Sequence, residues 1–169
     1  KYLESKEPGV YAVGDLVSRK MLAHVAYEQG ALAAENALGA RKSFSYDCVP
    51  CGIYTDPEIA WVGLTETEAR KVQANIKVGK FPFGALGIAQ ALGEIEGFVK
   101  MIAKEDGTLL GVHIIGPEAT TLIGAATLAL KNHLSVEQLA GTFQSHPSYP
   151  EGLQEAALNA LGRAAHILN

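Results

Sequence analysis

The chain has 169 residues, of which 48% are hydrophobic and 19% are charged, which is typical of a folded protein and not of a disordered one. A net charge of −4 without a Lys/Arg cluster excludes the basic face that nucleic-acid-binding proteins need. The longest apolar stretch, near Leu122–Leu130, is too short to span a membrane, and two cysteines are too few for a disulfide scaffold. We therefore expect a globular protein of a reducing compartment, with neither nucleic acid nor membrane as a partner.

The first forty residues predict one short strand and one helix. Val10–Val13 is rich in β-forming residues, and apolar side chains recur at three- and four-residue steps over about Met21–Leu38, before a helix stop at Gly39. One strand and one helix cannot bury a core between them. We interpret residues 1–40 as the end of a domain whose body lies outside this chain, and residues 41–47 as a polar linker.

Residues 48–169 are numerous enough for a domain and predict strands followed by helices. The clearest signal is a hairpin, in which Gly97–Lys104 and Leu109–Ile115 flank the turn sequence Glu105-Asp106-Gly107-Thr108. Capping-box spacing begins at Thr65 and again at Ser135. Further strands are predicted at Cys51–Tyr54, Ala60–Val62 and Ile76–Phe83, and helices from Thr65, over Ala119–Lys131 and from Ser148 to about His166. This order predicts an α+β fold, an antiparallel sheet with helices packed on it.

Asp15 is a first candidate binding residue, because it follows Ala12-Val13-Gly14 at the end of the predicted strand. A carboxylate in this position can accept hydrogen bonds from ligand hydroxyls. The N-terminus of the next helix offers backbone N–H groups to an anion or a carbonyl oxygen. The local pattern alone favours an ordinary Gly-Asp turn.

His146 and Glu151 are the candidates for acid–base chemistry. Histidine titrates near neutral pH, and a carboxylate on one ring nitrogen would fix its tautomer and leave the other nitrogen to take a proton from a thiol. The alternative is structural, because Ser148 and Glu151 also have the spacing of a capping box that closes a helix N-terminus. The residues alone leave both interpretations open.

The sequence Cys48-Val49-Pro50-Cys51 could be a redox pair or half of a zinc site. Zinc needs two more ligands, and the other histidines lack the paired spacing of zinc fingers. The motif also enters a predicted strand, whereas a thioredoxin-like motif opens a helix. We therefore expect no metal site, and two ordinary small residues at a junction between linker and strand.

Read together, these segments resemble the pyridine nucleotide–disulfide oxidoreductases over essentially the whole chain. Gly9–Asp15 resembles the second FAD motif of that family, and His146-Pro147 followed by Glu151 matches its catalytic signature. Three further segments, Ile53–Gly63, Gly97–Lys100 and Leu110–Pro117, are similar to its dimerisation domain. Met21–His24, with Glu28 and Gly30, resembles the helix beneath the flavin in the branch that oxidises dihydrolipoamide.

The resemblance implies a role for each candidate residue. Asp15 should bond a ribityl hydroxyl of FAD, and His146 should be the acid–base catalyst with Glu151 as its partner. The catalytic pair should act across the two-fold axis of a homodimer. The segment that should bring backbone N–H groups to the flavin ring consists of Met21, Leu22, Ala23 and His24.

The resemblance also implies an activity for a longer parent enzyme. That enzyme would oxidise a dithiol such as dihydrolipoamide, carried by a lipoyl-bearing protein of a 2-oxoacid dehydrogenase complex, and pass electrons through a disulfide and FAD to NAD+. We expect it in the cytoplasm, or in the mitochondrial matrix of a eukaryote. The chain by itself should bind neither FAD nor NAD and should be inactive.

Several departures from the family pattern leave alternatives open. The redox cysteines, the first FAD motif and the NAD domain have no counterpart in this chain, and Cys48 and Cys51 do not match the redox pair. Ser148-Tyr149-Pro150 replaces a more usual Thr-Leu-x, and Gln144 stands where another histidine is common. The alternatives are a non-catalytic dimerisation module, or a glutathione or mercuric reductase.

Overall fold

The computed structural model describes residues 2–168, which separate into two units after Val49. The first unit contains a short 3₁₀ turn, Gly14–Leu16, and one helix, α1, Ala23–Ala37. The predicted helix is therefore confirmed, although it begins slightly later and ends slightly earlier than the sequence predicts. The predicted strand at Val10–Val13 is wrong, because only one antiparallel bridge forms there, between Tyr11 and Glu4. A strand needs a neighbouring strand to take its backbone hydrogen bonds, and the described part of this unit has none.

Residues 41–47, the predicted linker, are held against α1 by two buried polar side chains. Gln29, with 1% relative exposure, donates from Nε2 to the hydroxyl of Tyr46 at 3.0 Å. Asn36 accepts from the backbone N–H of Lys42 at 2.6 Å. The segment thus packs as part of the first unit, while the domain limits 1–40, 41–47 and 48–169 stay a prediction.

The second unit is a five-stranded antiparallel sheet with helices, so the predicted α+β fold is confirmed. The strand order is β1-β2-β5-β4-β3. The strands are β1 Cys51–Ile53, β2 Ile59–Gly63, β3 Ile76–Pro82, β4 Phe98–Lys104 and β5 Leu109–Ile115. The helices are α2 Glu66–Val72, α3 Gly87–Leu92, α4 Ala119–Lys131, α5 Val136–Ala140 and α6 Glu151–Ala160. Both predicted capping boxes form, at Thr65 and Ser135.

The core lies between one face of the sheet and two helices, α4 and α6. Alternate residues of each strand point to this face, and one row across the sheet is fully buried. That row consists of Ala60, Ile114, Val99 and Phe81. Full burial of a large apolar side chain stabilises a fold by about 1.5–3 kcal/mol, so this row fixes the sheet beneath the helices.

Two helical segments differ from the sequence predictions. Helix α6 ends at Ala160 and not near His166, because Gly162 adopts a left-handed conformation and the N–H of Arg163 bonds back to Leu158. Helix α3 was not predicted; it has six residues and no side-chain cap, so the sequence carries little signal for it. None of the helices within residues 2–168 has the length and apolar character of a membrane span.

Candidate active site

His146 and Glu151 lie in direct contact at the N-terminus of α6. The imidazole Nδ1 is 2.8 Å from the carboxylate Oε1 of Glu151. The histidine side chain is 74% exposed, whereas that of Glu151 is only 21% exposed. A shielded carboxylate therefore carries an imidazole that faces outward.

The local sequence explains how Glu151 also serves the helix. Its second oxygen, Oε2, accepts a hydrogen bond from the backbone N–H of Ser148 at 2.7 Å. The Ser148 hydroxyl does not complete a capping box, because it donates to the carbonyl oxygen of Ser145. Glu151 thus anchors the loop before α6 with one oxygen, as the helix-capping interpretation expects, and holds His146 with the other.

Tyr149 fixes this loop to the connection between β3 and β4. Its side chain is buried, its ring centroid lies 5.3 Å from that of Phe83, and its hydroxyl donates to Glu94 Oε2 at 3.2 Å. Burial, together with the hydrogen bond to the Glu94 carboxylate, raises the pKa of Tyr149. The phenol therefore remains a neutral donor at neutral pH, and the base of the His146 loop is held by both packing and hydrogen bonding.

The carboxylate of Glu151 is negatively charged at neutral pH. Burial alone would raise its pKa, but the hydrogen bonds from His146 and from the Ser148 N–H outweigh burial, and the pKa lies below the ordinary value. A charged carboxylate on Nδ1 favours the tautomer with the proton on that nitrogen. Within residues 2–168 no hydrogen bond engages Nε2, so this nitrogen can accept a proton from an incoming acid and later return it.

The first unit places Asp15 beside the beginning of α1. The Gly14 N–H donates to the buried Oε1 of Gln29 at 2.8 Å. A Cβ on Gly14 would lie 3.3 Å from that of Ala26, so the turn rests directly on the helix. The side chain of Asp15 is exposed. A carboxylate and the start of a helix are therefore neighbours.

The predicted backbone donors lie at that helix start. Met21 is 75% exposed, Leu22 is the N-cap residue of α1, and Ala23 and His24 are its first two residues. Backbone N–H groups of a first helical turn point away from the helix's own carbonyl groups. The flavin-binding role of these residues and of Asp15 stays a prediction.

Cys48 and Cys51 are both free thiols. Cys51 is buried at the start of β1, and Cys48 lies in a turn. Among the described residues, no group of three or more His, Cys, Asp and Glu side chains is placed to hold a metal ion. The assignment of the pair to a structural role stays a prediction.

The sequence analysis missed a second pair of this kind, formed by His166 and Glu155. His166 Nδ1 lies 2.9 Å from Glu155 Oε1. The sequence signal that could have indicated this pair is the position of Glu155 four residues after Glu151, a spacing that places both glutamates on one face of α6. The histidine itself lies in the segment after the helix, and its position depends on the chain reversal at Gly162.

The second unit is thus an α+β domain that presents an exposed histidine on a shielded carboxylate. The family profile described as "Pyridine nucleotide-disulphide oxidoreductase, dimerisation domain" matches residues 49–157. The match covers more than half of the chain, and the chain therefore belongs to this family.

Curated relatives extend the similarity to the whole chain. It is 49% identical over 168 residues to the dihydrolipoyl dehydrogenase of Thermus scotoductus, covering 99% of this chain and 36% of that protein. It is 43% identical over 162 residues to the dihydrolipoyl dehydrogenase of Haloferax volcanii, covering 95% of this chain and 34% of that protein. The chain thus spans about a third of the length of these relatives.

Solved structures agree with the fold. LpdA of Mycobacterium tuberculosis superposes with a TM-score of 0.84 at 29% identity, over 92% of this chain and 34% of that one. The Cu(II) complex of the HOCl-induced flavoprotein disulfide reductase RclA of Escherichia coli gives a TM-score of 0.85 at 22% identity. That match covers 93% of this chain and 36% of that one, and at this identity it supports the fold alone.

Proposed function

We propose that the chain is the C-terminal part of a dihydrolipoyl dehydrogenase and supplies the acid–base pair of that enzyme. The observation that carries the proposal is the geometry of His146, whose Nδ1 lies 2.8 Å from a shielded carboxylate while the ring faces outward. The relatives that bear this name include proteins 49% and 43% identical to the chain. A dithiol substrate requires a base of this kind, because the thiolate and not the thiol is the nucleophile.

The chemistry of the pair follows from its charges. His146 Nε2 accepts the proton of a substrate thiol, and the electron pair of the broken S–H bond stays on the sulfur. The resulting imidazolium is stabilised by Glu151, which remains ionised throughout. The thiolate can then attack a disulfide outside this chain, and the imidazolium can return its proton to the sulfur that leaves.

The residues of the first unit fit a flavin by their chemistry. Asp15 offers carboxylate oxygens that suit ribityl hydroxyls, and the start of α1 at Leu22–His24 offers N–H groups that suit the carbonyl edge of the ring. When bound, FAD would supply the electron-accepting ring and NAD+ the final acceptor. Both cofactors belong to the proposal for the full-length parent.

The proposed partners and location follow from the same assignment. A second copy of the chain would form a homodimer, which a dimerisation domain supports. The substrate would be a lipoyl-bearing protein of a 2-oxoacid dehydrogenase complex. We place the parent in the cytoplasm, or in the mitochondrial matrix of a eukaryote; relatives from Caenorhabditis elegans and Arabidopsis thaliana carry the word mitochondrial in their names.

The test is the substitution His146→Gln in the full-length parent. We expect kcat/KM for dihydrolipoamide with NAD+ to fall by about 10²–10⁴, the usual contribution of general acid–base catalysis. Glu151→Gln should cost less, since Glu151 orients and stabilises the ring. The matched control is His133→Asn, an exposed histidine after α4, which should retain full activity.

Two results would contradict the proposal. Near-normal dihydrolipoamide oxidation by the His146→Gln enzyme would remove the acid–base assignment. Turnover of glutathione disulfide or Hg(II) with NADPH, without dihydrolipoamide oxidation, would place the parent in another branch of the family.

A further inference from the structure

The ring of His146 borders the start of α3 as well as Glu151. A Cβ built on Gly87, the first residue of α3, would lie 3.5 Å from Cε1 of His146 and 3.7 Å from the Cβ of Pro147. Apart from its chain neighbours and its own helix, no other described residue comes within 4 Å of that position, and Gly87 is exposed. A side chain at residue 87 would therefore meet the histidine loop first.

The contact falls on the edge of the ring that carries both nitrogens. Cε1 is bonded to Nδ1 and to Nε2, so an atom that touches Cε1 is close to both of them. Nδ1 is engaged by Glu151 at 2.8 Å, whereas no hydrogen bond within residues 2–168 engages Nε2. The space between Gly87 and this ring edge, which we call the thiol passage, thus adjoins the nitrogen that the proposed proton transfer uses.

Gly87 has a fixed place, because α3 and α6 begin side by side on packed side chains. Leu86, the residue before Gly87, is only 3% exposed, and Phe83 is fully buried. A Cβ on Gly152, the second residue of α6, would lie 3.5 Å from Leu86 Cδ1 and 3.4 Å from Phe83 Cε1. Side chains packed this closely have little room to retreat from added atoms. The floor of the thiol passage is therefore rigid.

The size of the side chain at residue 87 should decide how far the passage is open. An alanine Cβ at 3.5 Å from Cε1 would make an ordinary van der Waals contact. A valine carries two further carbons on that Cβ, and in a helix it is held to one main rotamer, so it cannot turn both away. These carbons would cover the ring edge or displace the ring, and proton transfer requires hydrogen-bond reach between the two groups.

We propose that Gly87 is a specificity-determining residue, whose missing side chain keeps open the passage by which a substrate thiol reaches Nε2 of His146. The catalytic meaning of this inference rests on the proposed function. The passage admits an alkyl thiol, whose sulfur comes within hydrogen-bond reach of Nε2 while its nearest carbons lie beside Gly87. Glu151 acts on the ring from the Nδ1 side, and Gly87 governs access from the other.

The experiment compares Gly87→Ala and Gly87→Val in the full-length parent with its cofactors bound. We expect kcat/KM for dihydrolipoamide with NAD+ to fall at least about tenfold in Gly87→Val, because its methyl groups narrow the passage or displace the ring. Gly87→Ala should change kcat/KM by less than about threefold, since its Cβ stays at van der Waals distance. The matched control is Ala91→Val at an exposed position of α3, which should retain the unmodified value.

A second activity separates a blocked passage from a disturbed fold. Reduction of ferricyanide by NADH needs the bound flavin but no thiol, and so no base. We expect it to be unchanged in Gly87→Val, whereas a merely structural role of Gly87 would lower both activities together. Gly87→Leu is measured in the same way, so that a folding defect peculiar to one side chain does not decide the result. Parallel loss of both activities in these two variants, or loss of neither, would overturn the inference.

A measurement without turnover keeps the inference separate from the proposed function. Diethyl pyrocarbonate acylates a free imidazole nitrogen, which in His146 is Nε2 because Glu151 holds Nδ1. Peptide mass spectrometry gives the acylation rate of His146 relative to that of the exposed His133 in the same molecules. We expect this ratio to fall at least about threefold in Gly87→Val and to stay constant in Ala91→Val.

The two measurements fail separately. If the unmodified parent does not oxidise dihydrolipoamide, the proposed function fails, while a lower acylation ratio in Gly87→Val still supports the passage. An acylation ratio in Gly87→Val equal to that of the unmodified parent would overturn the inference whether or not the enzyme is active.

Discussion

At the scale of single residues, Glu151 contributes both to the proposed acid–base site and to the start of helix α6. One carboxylate oxygen holds the imidazole of His146, and the other holds the Ser148 N–H that leads into α6. The two interpretations of the sequence, catalytic partner and helix anchor, are thus compatible, because a carboxylate has two acceptor atoms. A glutamine retains one acceptor oxygen and loses the charge, and so distinguishes geometry from electrostatics at this position.

The charge of Glu151 should make stability depend on pH. Its pKa is lower in the folded protein than in the unfolded chain, so its contribution is fully present above the unfolded pKa of about 4.3 and is lost as the pH falls through the folded pKa. We expect Glu151→Gln to lower the free energy of unfolding by about 1 kcal/mol at neutral pH. The difference from the unmodified chain should shrink below about pH 4.

Urea unfolding of the 169-residue chain at a series of pH values measures this difference. Glu105→Gln is the matched control, because Glu105 is exposed in the hairpin turn between β4 and β5. A difference between Glu151→Gln and the unmodified chain that grows toward low pH would contradict the assignment.

At the scale of elements, the orientation of α6 depends on its close contact with β3. A Cβ on Gly79 would lie 2.0 Å from the Ala156 carbonyl oxygen and 2.6 Å from the Ala160 nitrogen. Only a residue without a side chain allows this approach of strand to helix. The contact involves the second half of the helix whose first residue is Glu151, so it helps to fix the direction in which Glu151 and His146 are held.

Gly79→Ala should therefore separate α6 from the sheet. We expect the free energy of unfolding to fall by at least about 1–3 kcal/mol, the usual cost of overpacking. Gly124→Ala in α4 is the control, because Gly124 is exposed and a Cβ there meets nothing within 4 Å. That change should be neutral or stabilise by up to about 1 kcal/mol, since alanine is the better helix former. Equal denaturation midpoints for Gly79→Ala and the unmodified chain would disprove the close contact.

At the scale of the whole molecule, large apolar side chains are exposed on the second unit. Phe143, three residues before His146, is 96% exposed, and Leu128 of α4 is 66% exposed. Exposed aromatic residues of this kind are typical anchors of protein interfaces. They agree with a domain whose family is defined by dimerisation.

We expect the isolated chain to form a dimer at micromolar concentration, as measured by sedimentation velocity. Phe143→Ser should weaken the dimer at least about tenfold if Phe143 is an interface anchor. Val72→Ser, at an exposed position at the end of α2, should have little effect. A strict monomer for the unmodified chain would contradict dimerisation through this part of the protein alone.

The isolated chain should carry no flavin. Its first unit offers the Asp15 carboxylate and the start of α1, which are a small part of what encloses a dinucleotide. Purified material should lack the visible absorption band of flavin and should not oxidise dihydrolipoamide. Flavin bound at close to one equivalent would show that the first unit is a sufficient binding site.

The sequence by itself determined the elements whose signals are local. The hairpin around Gly107, the helix Ala119–Lys131 and the capping boxes at Thr65 and Ser135 depend on nearby residues, and all of them form. The pairing of His146 with Glu151 was likewise available from a five-residue spacing and from a family resemblance. Residues this close in sequence can adopt only a few relative arrangements, so a pattern of residue types is enough to predict these contacts and elements.

Only the tertiary structure decided where distant segments meet. The reversal at Gly162 that returns His166 to Glu155, the approach of Gly79 to α6 and the reduction of Val10–Val13 to one bridge all depend on contacts that the local sequence pattern does not specify. Helix α3, with six residues and no cap, is equally a product of its surroundings. The physical reason is that a local sequence fixes local backbone preferences, whereas hydrogen-bond partners and packing contacts are fixed by whatever the rest of the fold brings alongside.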